Sequence, residues 1–403
     1  MAPLLRSAVL RFDALPEPAL RVIFLALPVD ARARAACVCR GWRAFLADAS
    51  LWQVLDLTPA GGVVAERVTE NLVRGAVARA AGRLRVFSLN RVRALHVREL
   101  LLDVSEADGA ELQLVNTNTA LGVADLHVVF AAAPRLQVLS AGVIGQCMAL
   151  LPVLRNEPPY GPVRVSSLDV GFENQEEDAH LLALAAAVAS HEPLKELRLE
   201  EARSALGVNA LVDAVAKSQS SSFSVLTIED CGFDAETVPA LARLLQRGSL
   251  TKLSVICPDF PHAQEESLPP LCAALRACPT LTHLALSVNP PDSTNRRAFA
   301  ELIDAAASLP GLSVLDLRWS WVQDAPAAGH ALGALLGANL PSLRILILFR
   351  CELGDRGLAL VLDGLAANTH LRELDCRGNF LSEAFERGRL RPALAALAAR
   401  ANA

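Results

Sequence analysis

Lysine is almost missing from this 403-residue chain. Lys195, Lys217 and Lys252 are the only lysines among 38 basic residues, and the other 35 are arginines. Positive charge is not in excess either: the formal net charge is −5, without the basic stripe of a nucleic-acid groove or the cationic face that holds an anionic membrane. No apolar run is long enough to span a bilayer. The longest, LLALAAAVA from Leu181, is about half of what a spanning helix needs. The opening apolar residues are interrupted by Arg6 and Arg11, and no cleavage site follows.

The motifs of catalysis are missing as well. No Gly-rich phosphate loop carries the required Lys and Ser/Thr, and PAGGVVAER lacks a strand-then-helix frame. Eight histidines are scattered without an H-E-x-x-H pair, and no serine sits in an elbow motif. Cys37 and Cys39 have neither the spacing nor the second ligand pair of a zinc site. Nine cysteines, an odd number spread along a long chain, point to free thiols in a reducing compartment. The sequence therefore predicts a cytoplasmic or nuclear protein with no catalytic site, cofactor or metal, and no nucleic-acid or membrane partner.

What is present is abundant apolar material, 52% hydrophobic against 20% charged, and it is periodic. The pattern apolar-x-x-apolar-x-apolar recurs at Val165/Leu168/Val170, Leu194/Leu197/Leu199, Phe223/Leu226/Ile228 and Leu250/Leu253/Val255. It continues at Leu281/Leu284/Leu286, Leu312/Leu315/Leu317, Leu343/Leu346/Leu348 and Leu371/Leu374/Cys376. Between the triplets lie amphipathic helical segments such as GLALVLDGLAANT from Gly357. Neither a short strand nor a lone amphipathic helix buries its apolar face alone, so the units must stack. Weaker signals upstream, at Leu84/Phe87/Leu89, Leu112/Leu114 and Leu136/Leu139, bring the expectation to about eleven strands, and RLRPALAALAARANA reads as a closing helix.

The unit LRILILFRCELGDRGLALVLDGLAANTH from Leu343 resembles the long leucine-rich repeat of ribonuclease-inhibitor-like proteins. Cys351 sits where that family places Cys or Asn in a turn. Asn174, Cys231, Asn289 and Asn379 fall at comparable places, while Ser320 departs from the pattern. The expected fold class is α/β: a leucine-rich repeat solenoid, with a curved parallel sheet and outer helices, over residues 83–403. Residues 58–82 read as a linker or N-terminal cap.

Residues 12–57 do not fit the repeat. Pro16 and Glu17 start a helix, Leu20, Ile23, Phe24 and Leu27 share one face, and Leu27-Pro28 stops it. A further helix is expected over Ala35–Leu46. About forty-five residues of short helices need a neighbour or a partner to cover them. The stretch is similar to the F-box, the motif that docks substrate receptors on the small adaptor subunit of cullin-RING ubiquitin ligases. The similarity rests on Leu15-Pro16, Ile23-Phe24, Leu27-Pro28, Val38-Cys39, Trp42-Arg43, Leu51-Trp52 and Leu55. Ala31 and Arg32 stand where the family commonly shows Asp-Leu. The resemblance implies an adaptor surface formed or supported by Leu15, Pro16, Leu20, Ile23, Phe24, Leu27, Pro28, Val38 and Trp42.

Residues between the buried positions of a leucine-rich array project from its strands, one row per repeat. Asp169, Glu196, Glu200, Glu201, Glu229 and Asp230, broken by Arg198, give an acidic middle. Arg318, Trp319, Phe349, Arg350 and Arg377, with Asp316, Glu373 and Asp375, give an aromatic and basic carboxy-terminal end. Trp and Arg are frequent interface anchors, so Arg318, Trp319, Phe349, Arg350 and Arg377 are expected to contact a target protein, and clustered arginines could clamp a phosphorylated segment. The expected function is that of a non-catalytic substrate-recognition subunit of an SCF-type cullin-RING ligase. The rival reading is a leucine-rich scaffold or small-GTPase regulator with no ligase attachment.

Overall fold

The structure, a computed structural model, describes residues 15–58, 61–64, 67–89, 96–108, 112–117, 123–141, 151–155, 165–171, 178–191, 194–218, 220–232, 236–257, 268–287, 296–320 and 325–401. The chain forms two compact units, residues 1–143 with 156–165, and residues 144–155 with 166–403.

The first unit opens with three short helices, α1 (Glu17–Ala26), α2 (Val29–Ala35) and α3 (Arg40–Phe45). Four strands follow, β1 (Val54–Asp56), β2 (Val86–Leu89), β3 (Leu114–Thr117) and β4 (Val138–Ala141), paired in parallel in chain order. Each pair is joined through a helix, as a parallel crossover requires: Glu70–Ala80, Val97–Asp108 and Val123–Ala132. Register places Leu55, Phe87, Val115 and Leu139 side by side, all fully buried.

Two expectations are corrected here. β1 is a twelfth strand, lying inside the stretch that reads as an F-box-like unit. In β3 the core position opposite Phe87 belongs to Val115, not Leu114, which restores the pattern Leu112-x-x-Val115 seen in the other repeats.

The second unit carries eight strands, β5 (Ser167–Gly171), β6 (Glu196–Glu200), β7 (Val225–Glu229), β8 (Lys252–Ile256), β9 (His283–Leu286), β10 (Val314–Asp316), β11 (Ile345–Ile347) and β12 (Glu373–Asp375). They too lie in chain order and pair in parallel. The middle residue of every triplet aligns across the sheet: Leu168, Leu197, Leu226, Leu253, Leu284, Leu315, Leu346 and Leu374, each buried. The carboxy-terminal helix, Arg391–Ala401, buries Leu397, leaves Arg391 outside and turns half-buried Arg400 back to donate to Asn368 O.

The turn positions form a second ladder. Cys231 Sγ donates to Leu199 O at 3.6 Å, Cys257 Sγ to Ile228 O at 3.9 Å and Cys351 Sγ to Leu317 O at 3.0 Å. Ser320, the departure from the Cys/Asn pattern, does the same work, its hydroxyl donating to Leu286 O at 3.4 Å. Asn379 does more: its amide donates to Leu348 O (2.7 Å) and Cys376 O (2.8 Å) and accepts from the N–H groups of Cys351 and Leu353. A turn buried between strands leaves backbone groups that must be paired, and these side chains pair them one repeat back. Asn174 and Asn289 lie outside the described residues.

Burial pushes the thiols of Cys231 and Cys351 up to about 12 and those of Cys272 and Cys376 up to about 11. Cys37 and Cys39 are exposed. Because the thiolate is the reacting species, maleimide at mildly alkaline pH is expected to label Cys37 and Cys39 in the native protein. The six buried thiols, Cys257 and Cys278 included, should label only in denaturant, as read by mass spectrometry of the labelled peptides.

Two helices of this unit, Ala325–Gly337 and Gly354–Ala367, touch backbone to backbone through glycine. A Cβ on Gly333 would sit 2.5 Å from Leu360 O, and one on Gly329 or Gly364 would collide with Gly357 O or Gly333 O.

Candidate functional site

α1 begins behind Pro16 with Glu17 in its first turn, where a carboxylate complements the positive helix end. It stops at Leu27 because Pro28 forces the preceding residue into an extended conformation (ψ 140°). α2 starts directly after Pro28. The single helix expected over Ala35–Leu46 is broken. Cys39 is extended (φ −152°, ψ 168°), and its sulfur accepts the Trp42 N–H at 3.4 Å, so it caps α3 instead of continuing α2.

At the centre of these helices lies Phe24, 1% exposed, edge-on to Trp42 at 5.4 Å and against Phe45 at 5.5 Å. Trp52 is fully buried and donates its indole N–H to Leu46 O at 2.8 Å. Arg32, buried alongside, supplies what the end of α1 lacks. Helix ends leave carbonyls unpaired, and the Arg32 guanidinium donates to Phe24 O (3.0 Å), Leu25 O (3.2 Å), Leu27 O (3.1 Å) and Leu51 O while lying 5.7 Å from the Trp52 ring. Burial lowers its pKa. The buried Asp30 carboxylate pairs with Arg34 at 2.6 Å and Arg67 at 3.5 Å. Although burial opposes ionisation, these partners hold its pKa below the usual carboxylate value.

Among the nine residues expected at an adaptor surface, Phe24 is internal and acts by fixing the positions of α1 and α3. Leu15, Leu20, Ile23, Leu27, Pro28 and Trp42 are half-buried, and Pro16 and Val38 are exposed, Val38 at 64%. Two residues outside that set stand out further: Val22 at 68% and Leu25 at 50% exposure, three apart on the outer stripe of α1. Their spacing was visible in the sequence but lay on the opposite stripe from the stronger inward one.

The second unit carries the other surface. Register aligns Asp316, Ile347 and Asp375 on β10–β12. The next outward residues therefore form two rows, Arg318/Phe349/Arg377 and Trp319/Arg350/Gly378, tied by Trp319 N–H to Phe349 O and Arg350 N–H to Arg377 O, both 2.9 Å. Trp319 meets Phe349 edge-on at 5.6 Å. The Arg350 guanidinium lies 4.5 Å from the Trp319 ring and 5.3 Å from Phe349, and Arg377 lies 5.7 Å from Phe349. All five residues expected at a target surface are thus neighbours.

Arg318 and Arg377 are engaged with carboxylates. Arg318 reaches Asp316 at 2.5 and 2.7 Å, and Arg377 is bidentate to Asp375 at 2.7 and 2.9 Å. The hydrogen bond to Arg377 heads the causes that hold the Asp375 pKa low. The second row has left-handed backbone throughout: φ is +62° at Trp319, +55° at Arg350 and +75° at Gly378. For Trp and Arg this conformation costs about 1 kcal/mol or more each, although glycine fills the same place one repeat later. Phe380, 79% exposed and also left-handed, sits next to this end. It borders a groove of about 640 Å³ between β12 and the carboxy-terminal helix, lined also by Asp375, Arg377, Leu390 and Leu394.

The acidic middle of the same unit is a network around Arg198, which reaches Glu200 at 2.5 Å and Glu229 at 2.9 Å. Burial raises the pKa of Glu200, and the nearby Asp169 and Glu229 raise it further against the pull of Arg198.

Sequence comparison places a family on each part. Residues 12–58 match the F-box-like family model, and residues 339–361 match that of the Leucine Rich repeat. The chain carries an F-box-like unit followed by leucine-rich repeats. No curated protein matches the sequence. Similar solved structures include the Rad7 and Elc1 complex in yeast, at 15% identity over 89% of this chain and 80% of that one with a TM-score of 0.43. Another is the leucine-rich repeat-containing protein LegL7 from Legionella pneumophila, at 15% identity over 78% of this chain and 98% of that one with a TM-score of 0.39. Within the F-box-like unit, the departure at Arg32 falls on internal packing. Its outward apolar residues include Val22 and Leu25 on α1, Val38 in the turn after α2 and Val54 on β1.

Proposed function

We propose that this chain is the substrate-recognition subunit of an SCF-type cullin-RING ubiquitin ligase. Its F-box-like unit docks the small adaptor subunit, and its leucine-rich repeats bind a target protein through Arg318, Trp319, Phe349, Arg350 and Arg377. The chain itself performs no bond chemistry. It raises the rate of ubiquitin transfer by proximity, replacing a bimolecular encounter with an effectively intramolecular one, in the cytoplasm or nucleus.

The observation that carries the adaptor half is the exposure of Val22, Leu25 and Val38 on a unit that matches the F-box-like family. Exposed apolar residues that lie together mark partner surfaces more than scattered ones do, and Val22 and Leu25 stand three apart on one helix. Co-expression with the small adaptor subunit is expected to give a co-purifying complex. Val22→Lys with Leu25→Lys should abolish it with little change in melting temperature, since Val22 is 68% and Leu25 50% exposed and a cation suits the last turn of α1. A wild-type chain that purifies without adaptor would leave the scaffold reading in its place.

A further inference from the structure

We propose that Arg350, framed by Trp319, Phe349 and Gly378, is a subsite for the carboxylate of an acidic side chain in the bound protein segment. The inference rests on the reading of this end of the repeats as the target surface and names what that surface recognises.

The first support is the state of the three arginines. Arg318 and Arg377 each have a carboxylate within salt-bridge distance. Among the described residues no carboxylate pairs with Arg350, whose guanidinium has aromatic faces as its neighbours instead. A guanidinium that neighbours rings and no carboxylate keeps N–H donors for a planar acid.

The second support is the way the backbone gives Arg350 its place. The residue adopts a left-handed conformation, and its side chain lies over Gly378, where a Cβ would come within 2.7 Å of Arg350 Cγ. The glycine one repeat later makes room for the arginine stem, while the rings of Trp319 and Phe349 flank its head. Among the described residues its guanidinium makes no hydrogen bond, which leaves its N–H donors open to a ligand.

Charge decides between the anions that could bind. Arg318 and Arg377 are neutralised by Asp316 and Asp375, and Glu373 stands on the same face of β12 as Asp375, so the cluster as a whole has no surplus positive charge to hold a dianion. A single carboxylate needs only the donors of Arg350. A phosphate, carrying nearly two charges, would be repelled by the flanking aspartates and would have to strip Arg318 or Arg377 from its partner. A phosphorylated segment is therefore the less favoured ligand. Exposed Phe380 provides apolar contact for the residues beside the acid.

The test is a selection of displayed random peptides on the full-length protein, followed by affinity measurement of the enriched peptides. The expected consensus contains Asp or Glu, and replacing that residue by its amide weakens binding about tenfold or more, the scale of a charge-assisted pair. Arg350→Gln and Arg350→Lys should each reproduce that loss with an unchanged melting temperature. Gly378→Ala should weaken binding through Arg350, and more for the acidic peptide than for its amide. Enrichment of peptides without an acid, or indifference to Arg350→Gln while Trp319→Ala still abolishes binding, would overturn the carboxylate subsite and spare the target surface. Tighter binding when phosphoserine replaces the acid would reassign the subsite to phosphate. Peptides indifferent to Trp319, Phe349 and Arg350 alike, or no enrichment at all, would remove both readings.

Discussion

Gly364→Ala is expected to lower the melting temperature of the repeats by about 5 °C, the scale of roughly 2 kcal/mol in a unit of this size. In an exposed helix the same change would stabilise by about 1 kcal/mol, because alanine is the better helix former. Here the new methyl group would collide with the Gly333 carbonyl of the neighbouring helix. Overpacking against backbone, which cannot rotate away, costs about 3 kcal/mol or more. Gly337→Ala is the matched control. It lies at the end of the partner helix with nothing within 4 Å of its would-be Cβ and is expected to leave the melting temperature unchanged or slightly raised. Equal effects at the two positions in a thermal scan would mean that the helices have room to part.

Arg32→Ala carries the second large effect. It strips donors from four carbonyls around the end of α1 and removes the cation beside Trp52. Phe24 O keeps the Leu27 N–H at 3.3 Å; an acceptor left unpaired and buried costs about 1–3 kcal/mol, with some relief where water enters. A net loss of about 3 kcal/mol corresponds to a roughly hundredfold drop in hydrogen-exchange protection, expected over α1 and α2 and absent from β10–β12. Arg32→Leu, which brings in the residue the F-box family commonly shows there, should not rescue protection in this chain, because leucine fills space without donating. Full protection in the leucine variant would show that packing, not the guanidinium, holds α1.

The repeats were readable from sequence because their physics is periodic: each triplet must present the same apolar residues to the same core, and Leu168 through Leu374 do so in register. β1 was hidden because Leu55 serves two patterns at once, closing the F-box-like stretch and opening the sheet. The break at Cys39 was hidden because a sulfur capping a helix leaves no mark in hydrophobic spacing. Arg32 looked like a departure from a family pattern, and only the geometry of the α1 terminus gives it work to do. On the candidate surfaces, the outward rows followed from the triplets, so Arg318, Trp319, Phe349, Arg350 and Arg377 were identifiable as one group. That Arg318 and Arg377 are engaged by Asp316 and Asp375 while Arg350 is not depends on side-chain directions that spacing does not encode. Val22 and Leu25 were passed over for a similar reason: an amphipathic helix advertises its buried stripe, and the apolar residues on its other side count only once that stripe has been seen to face inward.

The turn ladder has a practical consequence for anyone who wishes to follow this molecule by spectroscopy. At the turns the chemistry required is one small donor reaching one repeat back, and Ser320 already supplies it with a hydroxyl where Cys231, Cys257 and Cys351 use sulfur. Serine can therefore take over those three positions, removing three of the thiols that would react once the chain is unfolded, while a dye or spin label in the native protein goes to exposed Cys37 and Cys39.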